Sequence, residues 1–227
     1  MRYFKSLTPG IFRARPNRFL ALVELQGELQ RCHVPNTGRL GELLLPGAAV
    51  WCKKAETPGR KTAWSLLVVK KGENLVNIDS QAPNHVAAEY VAGGGLGIVP
   101  DFVKPEQVFG DSRLDLYYEA GAVKGYVEVK GVTLEEDGVA RFPDAPTQRG
   151  RKHLLALKAA VAAGYRATAL FVIQMEGVNS FSPNTPRDPA FAQALSEAAA
   201  AGVEVKAVTC RVTPETLSIT GEVPVVL

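Results

Sequence analysis

The chain has 227 residues, of which 46% are hydrophobic and 22% charged. That is enough apolar material for a sizeable core, in one large domain or two small ones, and it excludes bulk disorder. No apolar run approaches the ~20 residues that span a bilayer, and no apolar stretch of signal-peptide type follows Met1-Arg2-Tyr3-Phe4-Lys5. Three scattered cysteines, Cys32, Cys52 and Cys210, offer neither paired metal-ligand spacing nor an even disulfide framework. A cytoplasmic protein without a membrane partner is expected. The net charge of +3 hides an asymmetry. Through Lys71 there are thirteen Lys and Arg against four Glu and no Asp; beyond it, thirteen Lys and Arg face nineteen acids. A basic half suits phosphate binding, and an acidic half can concentrate metal-binding carboxylates.

In chain order, residues 1–82 read as a small β domain. Strands are expected at Arg18–Leu25, Glu28–Val34, Ala48–Lys53, Ala63–Val69 and Asn74–Ile78, with Thr37 capping a short helical turn over Arg39–Leu44. Five strands with one helical interruption suit a Greek-key barrel of the oligonucleotide-binding (OB) type. Basic clusters decorate it: Arg13-x-Arg15-x-x-Arg18, Lys53-Lys54, Arg60-Lys61 and Lys70-Lys71. The aromatics among them, Phe12, Phe19, Trp51 and Trp64, are either stacking platforms for bases or core residues, and strand aromatics are more often core.

Residues 83–227 read as an α/β domain, α+β when taken with the barrel. Asn84 is expected to cap a helix over His85–Val91 that Gly93-Gly94-Gly95 stops, and Glu89 lies beside its apolar face. A hairpin follows, Arg113-Leu114-Asp115-Leu116 and Tyr126-Val127-Glu128-Val129-Lys130, turned at Gly121–Gly125. Period-two alternation places Val127 and Val129 in a core and Glu128 and Lys130 on the opposite face, with Asp115 leaving the apolar face of Leu114 and Leu116. A further strand is expected at Val139–Phe142. A helix over Gln148–Ala163 has an apolar stripe of Leu154, Leu157 and Val161. Four basic or potentially basic groups, Arg149, Arg151, Lys152 and His153, open it. Phosphate contact accounts for them, as does a solvated face compensated by acids such as Asp144. Ala167–Gln174 reads as a covered central strand, Asp188-Pro189 opens a last helix, and strands follow at Val203–Val208 and from Thr216.

Asp115, Glu128 and Lys130 can converge if the hairpin forms. Two carboxylates hold a hard divalent cation, and an ammonium beside them orients a water or stabilises charge on a phosphorane. Glu-x-Lys alone is cheap: Glu204-x-Lys206 repeats it without an acidic partner strand or a basic helix. The order of elements, a helix with Glu89, a strand with Asp115, a strand with Glu128-x-Lys130 and then a basic helix, resembles the PD-(D/E)xK nuclease-like fold. The runs Asn36-Thr37-Gly38-Arg39-Leu40, Arg113-Leu114-Asp115, Tyr126–Lys130 and Phe142-Pro143-Asp144-Ala145-x-Thr147-x-Arg149-Gly150-x-Lys152-His153-Leu154 are similar to the sugar fermentation stimulation protein (SfsA) family over essentially the whole chain. Leu114, Gly131, Ala156 and Met175 depart from that pattern and leave the acidic positions intact.

The resemblance implies an N-terminal five-stranded OB-like β-barrel, then a nuclease-like mixed sheet flanked by helices. It implies DNA binding in a prokaryotic, cytosolic setting. Mapped onto this chain, Asp115, Glu128 and Lys130 are the catalytic candidates, and Asp115, Glu128 and Glu89 the ligands of Mg2+ or Mn2+. Arg13, Arg15, Arg18, Arg39, Arg60, Lys61, Arg149, Lys152 and His153 are the candidates for nucleic-acid contact. A metal-dependent nuclease, a non-catalytic DNA-binding regulator of sugar-utilisation genes, and an RNA-binding or RNA-processing protein all fit these residues.

Overall fold

The computed structural model describes residues 7–55 and 61–227; Arg60 lies outside them. Six strands make the N-terminal half: β1 (Thr8–Asn17), β2 (Leu20–Leu25), β3 (Glu28–His33), β4 (Ala49–Lys54), β5 (Trp64–Lys71) and β6 (Asn74–Asn77). Five of them close into a barrel. β1 pairs antiparallel with β2 and β4, β2 with β3, and β4 with β5, and a short parallel contact of β3 with β5 closes the ring. Strict alternation buries Ala21, Val23 and Leu25 of β2 against Phe12, Val50 and Leu66.

The expected number of barrel strands holds, but the membership differs. β1, which carries Arg13 and Arg15, is a ring strand, while β6 only pairs with β5 along its outer edge. Arginines and prolines mask the β1 pattern, because only Phe12 of this strand is fully buried. Phe19 is exposed rather than core, and Trp51 and Trp64 are half-buried. The expected helical turn is one hydrogen-bonded turn, Leu44 N–H to Leu40 O. Asn36, not Thr37, supports it by accepting from Gly38 N–H.

The second half comprises α1 (Ala82–Ala92), β7 (Phe102–Phe109), β8 (Ser112–Ala120), β9 (Val123–Val132), β10 (Leu134–Glu136), β11 (Val139–Phe142), α2 (Gln148–Ala162), β12 (Arg166–Ile173), β13 (Ser180–Pro183), α3 (Pro189–Ala200), β14 (Glu204–Val212) and β15 (Leu217–Val223). The main sheet runs β15-β14-β12-β9-β8-β7. Its centre, β9-β12-β14, is parallel, and both flanks are antiparallel. α1 covers one face, packing Val86, Ala87 and Val91 with Leu116, Val127 and Val129. α2 and α3 cover the other, packing Leu154, Leu157, Phe191 and Leu195 with Leu114, Tyr126 and Phe171. The mixed sheet flanked by helices is thus as expected. β7 was not anticipated: Pro105 interrupts it, and it is tolerated because β7 is an edge strand. Val139–Phe142 joins not this sheet but a separate three-stranded one, β10-β11-β13.

The barrel is pinned to the sheet by polar contacts. Gln174, at the end of β12 and almost fully buried, donates to Asn77 Oδ1 at 2.9 Å and to Asp79 O at 3.1 Å. Its carbonyl accepts from Asn77 N–H. Lys71 Nζ reaches Glu135 Oε2 at 2.6 Å.

Gly125 faces Tyr118 across β8 and β9, and a Cβ there would lie 2.4 Å from the Tyr118 ring. The ring is fully buried and cannot retreat. Gly125→Ala is therefore expected to cost about 1–3 kcal/mol, read as a lower urea midpoint at unchanged m-value; a wild-type midpoint would mean the ring has room to shift.

Candidate metal and nucleic-acid site

The site forms where β8 and β9 part. Their ladder runs from Ala120–Val123 to Leu116–Val127 and stops there. Beyond it the Asp115 side chain replaces a ladder carbonyl, its Oδ2 accepting from Val129 N–H at 2.8 Å. This break also reverses the alternation. Leu114 packs with the α2 layer and Leu116 with the α1 layer, so the two do not share one face as expected. Asn84 donates to Asp115 Oδ1 at 3.0 Å. It is not the helix cap: α1 begins at Ala82 behind Gln81, with Pro83 in its first turn. Pro83 is the signal that locates the start, and it leaves Asn84 inside the helix, free to turn toward the sheet.

Glu128 is not on a solvated face. β9 is a central strand covered on both sides, Gly125–Val129 is continuously buried, and Glu128 is 2% exposed. α2 supplies what makes this tolerable. His153, itself buried, presents Nδ1 to Glu128 Oε1, and Lys130 Nζ lies 2.6 Å from the same oxygen. Both donors gather on Oε1. Oε2 is buried and has no hydrogen-bond partner.

The two carboxyls are pushed apart electrostatically. Burial raises the Asp115 carboxyl, and the Glu128 charge raises it further. The Val129 N–H, Lys130 and Asn84 oppose this without cancelling it. Burial also pushes Glu128 up, but the His153 and Lys130 hydrogen bonds and charges outweigh it and hold Glu128 below its usual range.

The other candidates divide. Glu89 is exposed on α1 and shares with Asp115, Asn84, His85 and Glu106 the wall of a cavity of about 520 Å3. Among the described residues, no three of His, Cys, Asp and Glu converge as ready metal ligands. His153 faces Glu128, not solvent. Arg149 is exposed, and Lys152 is exposed with Nζ on Asp111 O at 2.9 Å. Arg13 is paired with Glu24. Arg15 is a bracket: its guanidinium donates to the carbonyls of Arg18, Asn36 and Arg39. Arg18, Arg39 and Lys61 are exposed. Arg18 and Arg39 line, with Arg15, a cavity of about 670 Å3 between the barrel and the start of α2, far in sequence from the hairpin. Glu204-x-Lys206 builds no counterpart: Lys206 is shared between Glu222 at 2.9 Å and Glu204 at 3.6 Å, and Glu204 is only half-buried.

The shifts have opposite signs for stability. Asp115 has a raised folded-state pKa, so ionising it destabilises the native state. The penalty is absent below its unfolded value, about 3.9, and full above its folded value. Asp115→Asn is expected to raise the urea midpoint at pH 7.5 and to lose this advantage below pH ~4. Glu128 has a depressed folded-state pKa, so it contributes stability above its unfolded value, about 4.3, and loses it as pH falls through the folded one. Glu128→Gln, which leaves Lys130 without its counter-charge and His153 without its carboxylate partner, is expected to cost about 3–5 kcal/mol at pH 7.5. Equal midpoints for both variants across this pH range would contradict the assignment.

Comparison with known proteins agrees with this architecture. Residues 81–216 match the family described as the sugar fermentation stimulation protein RE domain, and residues 14–78 the SfsA N-terminal OB domain. A sugar fermentation stimulation protein homolog of Desulfitobacterium hafniense (strain Y51) is 49% identical over 94% of this chain and 93% of its own length. Another, from Caldanaerobacter subterraneus subsp. tengcongensis, is 48% identical over 96% of each. The structure of Pyrococcus furiosus SfsA in complex with Ca2+ superposes with a TM-score of 0.89 at 31% identity, covering 100% of this chain and 98% of that one. The chain belongs to the sugar fermentation stimulation protein (SfsA) family.

Proposed function

We propose that this protein is a divalent-metal-dependent nuclease whose substrate is DNA. The observation that carries the proposal is the Glu128 carboxylate. A desolvated anion with both neighbouring donors on one oxygen and none on the other is costly, and a cation at Oε2 is the natural partner. Asp115 adds a second carboxylate whose charge is disfavoured until a cation arrives. Mg2+ keeps several waters and takes one or two protein carboxylates, so Asp115 and Glu128 fit Mg2+ or Mn2+ without a third preformed ligand. Glu89, in the wall of the same cavity as Asp115, would contribute through water. The Ca2+ complex of the P. furiosus relative supports a hard-cation site in this family. An OB domain supports nucleic-acid binding in general.

A bound ion of this kind polarises a phosphoryl oxygen and lowers the pKa of its water. The chain supplies the rest. His153 and Lys130 fix the Glu128 rotamer, Val129 N–H and Asn84 fix Asp115, and Lys130, with its side chain 17% exposed, reaches the surface where it can orient a water or steady charge on the phosphoryl oxygens. The absence of a three-ligand cluster among the described residues favours one competing function, a DNA-binding protein that does not cleave.

Purified protein incubated with labelled single- and double-stranded DNA and RNA in Mn2+ or Mg2+ decides between them. Cleavage of DNA is expected, falling at least about 100-fold in Asp115→Asn and in Lys130→Ala. Binding without cleavage in either metal would overturn the nuclease assignment, and cleavage of RNA alone would overturn the choice of DNA.

A further inference from the structure

We infer that the cleft between the barrel and the start of α2 binds the phosphate backbone of one nucleic-acid strand and leads it toward Lys130. The ~670 Å3 cavity there brings three guanidinium groups, Arg15, Arg18 and Arg39, against one carboxylate, Asp144. Asp144 is already engaged, its Oδ2 accepting from Arg39 N–H at 3.1 Å. Arg15 is held by three carbonyls and fixes the loop that carries Arg39. Arg18 and Arg39 are exposed, and among the described residues neither side chain has an ion-pair or hydrogen-bond partner. Thr147, the N-cap of α2, stands in the same wall, so the free N–H groups of the first turn add to the positive potential. Two unpaired arginines with a helix start behind them suit a phosphodiester, and Phe142 and Pro143 give an apolar wall for a sugar or base.

The cleft has a direction. A second cavity of about 190 Å3 shares Thr37, Gly38, Phe142 and Asp144 with the first and ends at Ser80 and Gly131. Gly131 follows Lys130 in the chain, and Ser80 precedes Gln81, which lines the cavity that holds Asp115 and Glu89. The first two cavities are joined by shared walls, and the third, which Asp115 lines, begins one residue along the chain from the second. The first and third have small-ligand-pocket volumes and the second is smaller, which suits a short run of a single strand better than a double helix. The destination of the strand rests on the nuclease assignment, while its binding to the cleft does not.

The test uses the full chain in EDTA, where no hydrolysis occurs. Fluorescence anisotropy follows a fluorescein-labelled 12-nucleotide single-stranded DNA and the same sequence as a duplex. Arg18→Ala/Arg39→Ala is expected to weaken single-strand binding at least tenfold. It should also lower the slope of log affinity against log salt by roughly 1.4, two phosphates at ~0.7 each. Arg18→Lys/Arg39→Lys, with charge kept, is expected to recover part of both. A charge-matched Lys124→Ala/Lys158→Ala variant is expected to bind like wild type. Unchanged affinity and slope in the double arginine variant, or a wild-type preference for the duplex, would overturn the inference. A protein that binds in this way yet never cleaves in Mn2+ would overturn the nuclease assignment alone.

Discussion

Everything at the hairpin depends on keeping one carboxylate charged in the interior. Glu128 sits on a central strand that helices cover on both faces, where an unpaired anion would cost several kcal/mol or simply take up a proton. α2 prevents this by delivering His153, and β9 delivers Lys130 two residues on. Both converge on Oε1, which leaves Oε2 as the one oxygen still in need of a partner. The position of α2 is thus an electrostatic requirement as well as a packing one. Leu154 and Leu157 seat the helix on the sheet, and His153, one residue before Leu154, is carried into register with Glu128 by the same contact.

Asp115 solves a different problem. A sheet whose strands stay paired has no room for a ligand between them, and one whose strands part leaves orphaned N–H groups. The Asp115 side chain accepts the Val129 N–H that β8 no longer satisfies, so the opening costs no hydrogen bond. The same carboxylate then faces the cavity beside α1. Its raised proton affinity follows from this double duty: it is buried to serve the backbone and lies next to a second charge. Native stability is given up at this position whenever the carboxyl is ionised.

Local pattern made much of the fold legible and misled at the site itself. The alternation of β2, the 3–4 spacing of Leu154, Leu157 and Val161, and the continuous apolar run of β12 each point to one structure, and each is found. β1 and β7 were hidden because arginine and proline break the apolar period on strands with little to bury. The hairpin failed in a more instructive way. Period-two alternation puts Glu128 on the face opposite Val127 and Val129, and nothing local reveals that α2 will cover that face. Asp115, Glu128 and Lys130 were readable as candidates from order and motif. The roles of Asn84 and His153 were not, because each acts on a residue more than 20 positions away in sequence, Asn84 on Asp115 and His153 on Glu128.

The arginines of the barrel make the same point in reverse. Arg13, Arg15 and Arg18 form one cluster in sequence, but the fold gives them three different tasks. Arg13 on β1 is neutralised by Glu24 across the β1–β2 pair. Arg15 turns inward to three carbonyls, where its guanidinium braces the backbone around it. Of the three, Arg18, at the turn, is the one whose side chain has no partner among the described residues, and Arg39 joins it from a loop 21 residues on because Arg15 holds that loop in place. A basic cluster read from sequence overstates the number of unpartnered guanidinium groups. What concentrates charge here is the bracket that draws distant arginines to the mouth of the cleft, and removing Arg15 would release the loop that carries Arg39.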